Sequence, residues 1–173
     1  MTNEAVYYRS EDYASFGLRM LIDIIDLFIV FAVFITVSLF TDDFFSMNLL
    51  MLVWIAIWFS YFVLLKRSKM GTVGYMVAKV RIVNLKGERP SVYSLALRLM
   101  FAILGPFNSI LDLLWIPSDE HRQALRDKFA KTYVIKRTAL PAGTGKIIYH
   151  NYDIFGWRFI FSEVRQQEDQ SGI

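Results

Sequence analysis

Apolar residues in this chain are gathered into three long blocks, not spread at the spacing of soluble amphipathic helices. Phe44 to Leu65 reads FFSMNLLMLVWIAIWFSYFVLL, 22 residues without a charge, and a helix of about 20 residues crosses the roughly 30 Å hydrocarbon core of a bilayer. Lys66 and Arg67 end this block. Leu18 to Phe40 is of similar length, with Arg19, Asp23 and Asp26 in its first third and an uncharged run from Leu27 onward. It is too polar at its start to be a cleavable signal peptide and reads as a retained span. Thr41-Asp42-Asp43 is just long enough to turn the chain, so the two spans form an antiparallel hairpin. A third block, Ser91 to Pro117, carries Arg98 and Asp112, with Gly105-Pro106 at its middle. Gly-Pro removes a helical hydrogen bond and favours a break.

The intervening charges orient these blocks. Between Lys66 and Arg89 seven basic residues face one acid, Glu88, and the segment after Pro117 is also basic. Positive loops stay cytoplasmic. Both ends of the hairpin then lie inside, and a full third crossing would place a basic segment outside. A broken, re-entrant third segment that returns the C-terminus to the cytoplasm is favoured over three plain spans. Within the basic segments, Val80 and Ile82 alternate with charged residues before a turn at Lys86-Gly87, and TYVI at Thr132 to Ile135 is a second β-branched run. These are expected to pair as short cytoplasmic strands. SDEHRQALRDKFAK reads as an interfacial helix. After a linker beginning at Thr138, two aromatic runs admit a β-hairpin turning near Asp153 to Gly156 or an interfacial patch on Trp157, Phe159 and Phe161. The expected fold class is an all-α membrane protein, a small helical bundle with spans at about 18–40, 44–65 and 91–117. The bundle occupies residues 1–137, and 138–173 form a cytoplasmic tail.

Composition supports a membrane setting. Of 173 residues 55% are hydrophobic, 16% aromatic and 20% charged, with mean hydropathy +0.37, more apolar than an average soluble domain. The absence of cysteine removes disulfides, thiolate nucleophiles and sulfur-ligated metals. The net charge of +3 resides in the topology-setting loops, so anionic lipid headgroups, not nucleic acid, are its nearest counter-ions. Asp119-Glu120-His121 reads as a solvated helix start, not a metal site, since adjacent positions on a helix do not converge on one ion. No pattern points to a cofactor or an enzyme.

The ionisable residues inside the blocks remain. Arg19, Asp23 and Asp26 fall at i, i+4 and i+7, on one helix stripe, and intramembrane charges persist only when paired or facing a polar cavity. Arg19 and Arg98 against Asp23, Asp26 and Asp112 leave one acid in excess. A structural network holding the bundle together and an ion or proton pathway both fit this count.

RMLIDIID resembles the signature of the RDD (Arg-Asp-Asp) family of bacterial membrane proteins. The resemblance continues through Gly71-Thr72-Val73-Gly74, the strand KVRIVNLKGE with Gly87, Arg98, Asp112, and ALRDKFAKTYVI with Asp127 and Thr132, covering about Tyr13 to Arg137. The sequence departs from the family at Lys131, where glycine is more usual, and lacks a basic residue just after Gly74. The resemblance implies a multi-pass protein of the bacterial cytoplasmic membrane, with the N-terminus and the C-terminus inside. Some relatives are associated with sodium-proton antiport, which implies Na+ or H+ as a cargo and Asp23 or Asp26 as its carrier. So few spans require a homo-oligomer or another membrane protein to complete any pathway. The leading expectation is an oligomeric or partner-associated membrane subunit, and the alternative a cation/proton transporter.

Overall fold

The computed structural model describes residues 4–41, 46–103, 115–119, 121–154 and 157–166. Helix α1 spans Phe16–Thr41 and α2 spans Met47–Phe59, continued by a π-helical turn at Ser60–Leu65. Phe31 and Phe34 meet Trp54, whereas the earlier Asp26 meets the later Tyr61, so the helices run antiparallel. Their apolar side chains face outward: α2 has no buried residue, and Phe28, Leu39, Met47 and Leu52 are all more than half exposed. These two helices are the ones among the described residues long and apolar enough to cross a membrane.

The third apolar block behaves differently. Its described helix, α4 (Val92–Ile103), has 12 residues, about 18 Å at 1.5 Å per residue. It is amphipathic, with Leu95, Arg98 and Leu99 buried and Tyr93, Met100 and Ile103 exposed, and packs on the π-helical turn and on α5 (Leu125–Ala130). The Gly105-Pro106 break and Asp112 lie outside the described residues.

The expectation of an all-α fold is overturned by five strands in two antiparallel sheets. Strands β2 (Val80–Asn84) and β3 (Thr132–Lys136) pair from Val80↔Lys136 to Asn84↔Thr132. Strands β1 (Glu4–Tyr7), β4 (Gly143–Ile154) and β5 (Trp157–Gln166) form the second sheet in the order β1-β4-β5. The N-terminal strand therefore joins the C-terminal tail across the position expected to separate them. Strands occupy the segments with interspersed charge, where apolar content is modest and period-two alternation is short, so the apolar blocks dominate any reading of fold class. The expected interfacial helix is also corrected: α5 has six residues and buries Asp127, Lys128 and Ala130 inside the protein.

The β2–β3 ladder separates two cores. Alternation along β3 sends Val134 towards Ile22, Val63, Tyr75 and Leu95 at the inner end of the hairpin, while Tyr133 and Ile135 join Tyr8, Tyr13, Val83 and Val164 on the other side. The polar sites lie where the first core meets the helix ends. A five-residue helix, α3 (Val73–Val77), closes against α1 there.

Candidate functional site

Asp127 is the centre of the first site. It is fully buried, and its two carboxylate oxygens accept hydrogen bonds from Arg19 and Arg98, themselves 2% and 5% exposed. Arg98 Nη1 also donates to Thr132 Oγ1 at 2.7 Å. Arg19 adds Nε to the Ala14 carbonyl at 3.1 Å and Nη2 to the Arg122 carbonyl at 2.7 Å, and the Ala124 N–H reaches Asp127 Oδ2 at 3.3 Å. Buried charges persist when paired and saturated with hydrogen bonds. Here one carboxylate ties α1, α4 and α5 together at the entry to β3. Lys131 ends α5 in the left-handed conformation with φ 54° and ψ 53°, which glycine adopts without steric cost.

Asp26, about two α1 turns beyond Arg19, is also fully buried. Its Oδ1 accepts from Tyr61 Oη at 2.8 Å and from the Gly74 N–H at 2.7 Å, and its Oδ2 accepts from Thr72 Oγ1 at 2.6 Å. Tyr61 Oη in turn accepts from the Val73 N–H. Every donor to Asp26 is neutral. Gly74 has to be glycine: a Cβ there would lie 2.7 Å from the Ile22 carbonyl oxygen and 2.8 Å from Asp26 Oδ1. Gly71 and Gly87 serve the chain path instead, at φ 77° and 78°.

Asp23 faces a different partner, Arg126, at 2.7 Å, and both are partly exposed. The pair lines a cavity of about 260 Å³ walled by α1, the π-helical turn and α4. Lys66 and Arg98 line it as well. Lys66 is buried, with its Nζ over the Tyr75 ring at 4.6 Å and the Phe62 ring at 5.6 Å. Burial pushes the Tyr75 hydroxyl up, but Lys66 and then the three arginines around it pull it down further, so the net shift is downward. Three cations, Lys66, Arg98 and Arg126, and one carboxylate, Asp23, line the cavity of about 260 Å³.

A third polar group lies on the sheet side of α5. Lys128 pairs with Asp119, and its Nζ donates to Glu163 at 2.6 Å; Tyr152 Oη also donates to Glu163, at 2.8 Å. Burial lowers the Lys128 ammonium, but Asp119 and Glu163 outweigh it and hold it above its ordinary range. Burial raises the Glu163 carboxyl, and the hydrogen bonds from Lys128 and Tyr152 bring it below its ordinary value. Asp119 also accepts the backbone N–H groups of His121 and Gln123. Among the described residues no group of three His, Cys, Asp or Glu side chains is arranged to hold a metal ion.

The residues singled out from the sequence are therefore split. Arg19 and Arg98 come together, but on Asp127, not on the aspartates of α1. Asp26 goes to Thr72 and Gly74, and Asp23 to Arg126. Sequence reasoning placed Asp127 and Thr132 in a cytoplasmic motif without seeing that they meet Arg98, and missed Tyr61, Lys66 and Arg126 altogether. Tyr61, a lone phenol in an otherwise apolar span, was the signal available for the Asp26 site.

No curated protein and no solved structure matches the chain. A model of the RDD family matches residues 13–131, a stretch that contains Arg19, Asp26, Thr72, Gly74, Arg98 and Asp127. Both buried carboxylate sites thus fall within the matched region, which is well over half of the sequence, and the chain belongs to the RDD family.

Proposed function

We propose that this RDD protein is a non-catalytic, polytopic subunit of a bacterial inner membrane, with both termini cytoplasmic. In this reading the buried charges lock its cytoplasmic part onto the helical hairpin, and the outer hairpin surface takes a second copy or another membrane protein. One contrast carries it. Asp26 and Asp127 are saturated inside the protein, as groups that hold elements together are, whereas α2 buries none of its 13 residues and offers an unbroken apolar face. Helices in lipid associate through such faces by close packing.

The absence of native cysteine makes the test direct. Phe28→Cys and Leu39→Cys, introduced singly at outward positions and expressed at native level, are expected to give cross-linked products in membranes, either a dimer or an adduct with one other protein. A chain that stays monomeric at both positions refutes the reading. The antiport alternative draws on one feature, the cavity beside Asp23. It requires sodium-dependent proton flux in proteoliposomes that Asp23→Asn abolishes without loss of assembly, and absence of flux from the unsubstituted protein removes it.

A further inference from the structure

Lys66 is nine-tenths buried, yet among the described residues its ammonium has no carboxylate within ion-pair distance and no side-chain hydrogen bond; its direct contacts are the faces of Phe62 and Tyr75, and Asp23 acts on it only at longer range. A buried ammonium without a contacting carboxylate lacks the close partner that usually accompanies burial. Lys66 also lines two cavities. The first, about 260 Å³, has Lys66 and Arg98 beside the Asp23–Arg126 pair at its charged end, so three cations stand against one carboxylate there, and beyond it is apolar, with walls from Met20, Ile24, Leu27, Leu95 and Leu99. Met20, Ile24 and Leu27 are 45%, 54% and 39% exposed, so this wall belongs to the outer, lipid-side surface of α1. The second, about 180 Å³, is lined by Arg67, Lys69, Arg81, Arg89 and Arg137 with no acidic residue. Three of those guanidiniums donate to main-chain carbonyls, Arg67 to Pro90, Arg81 to Ala139 and Arg137 to Val80, which leaves their charge uncompensated.

From this arrangement we infer a binding site for one anionic phospholipid of the bilayer. Part of an acyl chain occupies the apolar cavity, the phosphate meets Lys66, and the rest of the headgroup lies towards the basic cavity. The occupant follows from charge and position. The apolar part sits at the end of two membrane-length helices and borders their outer surface, where bilayer lipid is the hydrocarbon at hand. The head end is cationic, so a phosphoglycerol head is attracted, whereas a choline head would bring its own ammonium against arginines. At about 260 Å³ the cavity is near the lower end of the roughly 300–1,000 Å³ usual for small-molecule sites, and it suits a segment of one chain, not a bulky ring system. The site does not depend on self-association.

Native mass spectrometry of the full-length protein in mild detergent tests this with phosphatidylglycerol and phosphatidylcholine as probes. One phosphatidylglycerol is expected to be retained per chain, in preference to phosphatidylcholine. Lys66→Gln is expected to weaken phosphatidylglycerol binding about fivefold, the effect of one basic residue at an anionic headgroup, while Lys66→Arg retains it and Lys146→Gln, on the β4 strand, leaves it unchanged. Leu99→Trp, which fills the apolar cavity with Lys66 intact, is expected to weaken binding as well and keeps the test decisive if Lys66→Gln does not fold. Equal affinity for the two lipids, undiminished binding by both Lys66→Gln and Leu99→Trp, or displacement of the lipid by soluble glycerol phosphate at equal concentration overturns the site. A monomeric protein that still selects phosphatidylglycerol refutes only the subunit reading above.

Discussion

Replacing Asp127 by asparagine keeps the shape of the side chain and removes its charge, leaving Arg19 and Arg98 facing each other at 2% and 5% exposure with no carboxylate between them. Breaking a buried ion pair by removing one partner costs about 3–5 kcal/mol, a large part of the 5–15 kcal/mol that holds a typical domain folded. At roughly 2–4 °C per kcal/mol for a chain of this size, the unfolding midpoint falls by about 10 °C. Removing an arginine is milder. Arg98→Met leaves the Arg19–Asp127 pair in place and loses, among other contacts, the hydrogen bond to Thr132, a cost of about 1–3 kcal/mol. The sign of the double variant is the sharper test. In the Asp127→Asn background, Arg98→Met removes one of the two cations that have lost their shared carboxylate and is expected to raise the midpoint, although it lowers it in the unsubstituted protein. Circular dichroism melts in one mild detergent measure all four proteins. If Arg98→Met costs more than Asp127→Asn, or lowers the midpoint further in the Asp127→Asn background, Asp127 is not the counter-charge that holds these arginines.

Two further outcomes are expected. Gly74→Ala forces a Cβ to within 2.7 Å of the Ile22 carbonyl, an atom of the α1 backbone that has little freedom to move, and the same melts are expected to show a loss of about 1–3 kcal/mol typical of overpacking; a neutral result refutes the close seating of α3 on α1. Glu163, whose carboxyl lies below its ordinary value of 4.5 when folded, contributes stability that is fully present above that value and is lost as pH falls through the lower folded one. Between about pH 6 and about pH 3, the midpoint of the unsubstituted protein is therefore expected to fall more steeply than that of Glu163→Gln, and parallel curves refute the Lys128 and Tyr152 contacts.

The hairpin was legible because an uncharged run such as Phe44–Leu65 has one economical use, and the β2–β3 ladder because Val80, Ile82 and the TYVI run alternate at period two beside turn signals. Of the second sheet, the β4–β5 hairpin is one of the two readings the aromatic runs admit, and its pairing closes at Ile154↔Trp157; the addition of β1 was not legible, since it pairs with β4 from the opposite end of the chain, and four residues carry no period that announces so distant a partner. The same separation hid the Asp127 site. Asp127 is 108 positions from Arg19, amid basic residues that read as a solvated helix.

Charge counting along the sequence saw only part of the cluster, because it counted only residues inside apolar blocks. Arg19 and Arg98 against Asp23, Asp26 and Asp112 left an acid in excess and invited a cation. In space, Arg126 from α5 and Lys66 from the helix end join the cluster, Asp127 serves two arginines, and Asp112 lies outside the described residues. Four cations and Asp23, Asp26 and Asp127 share this region among the described residues, and Asp26 takes its three hydrogen bonds from neutral donors. Lys66, seated on the Phe62 and Tyr75 rings between an apolar cavity and a basic one, is the cation of this region placed to meet an anion with a hydrocarbon tail.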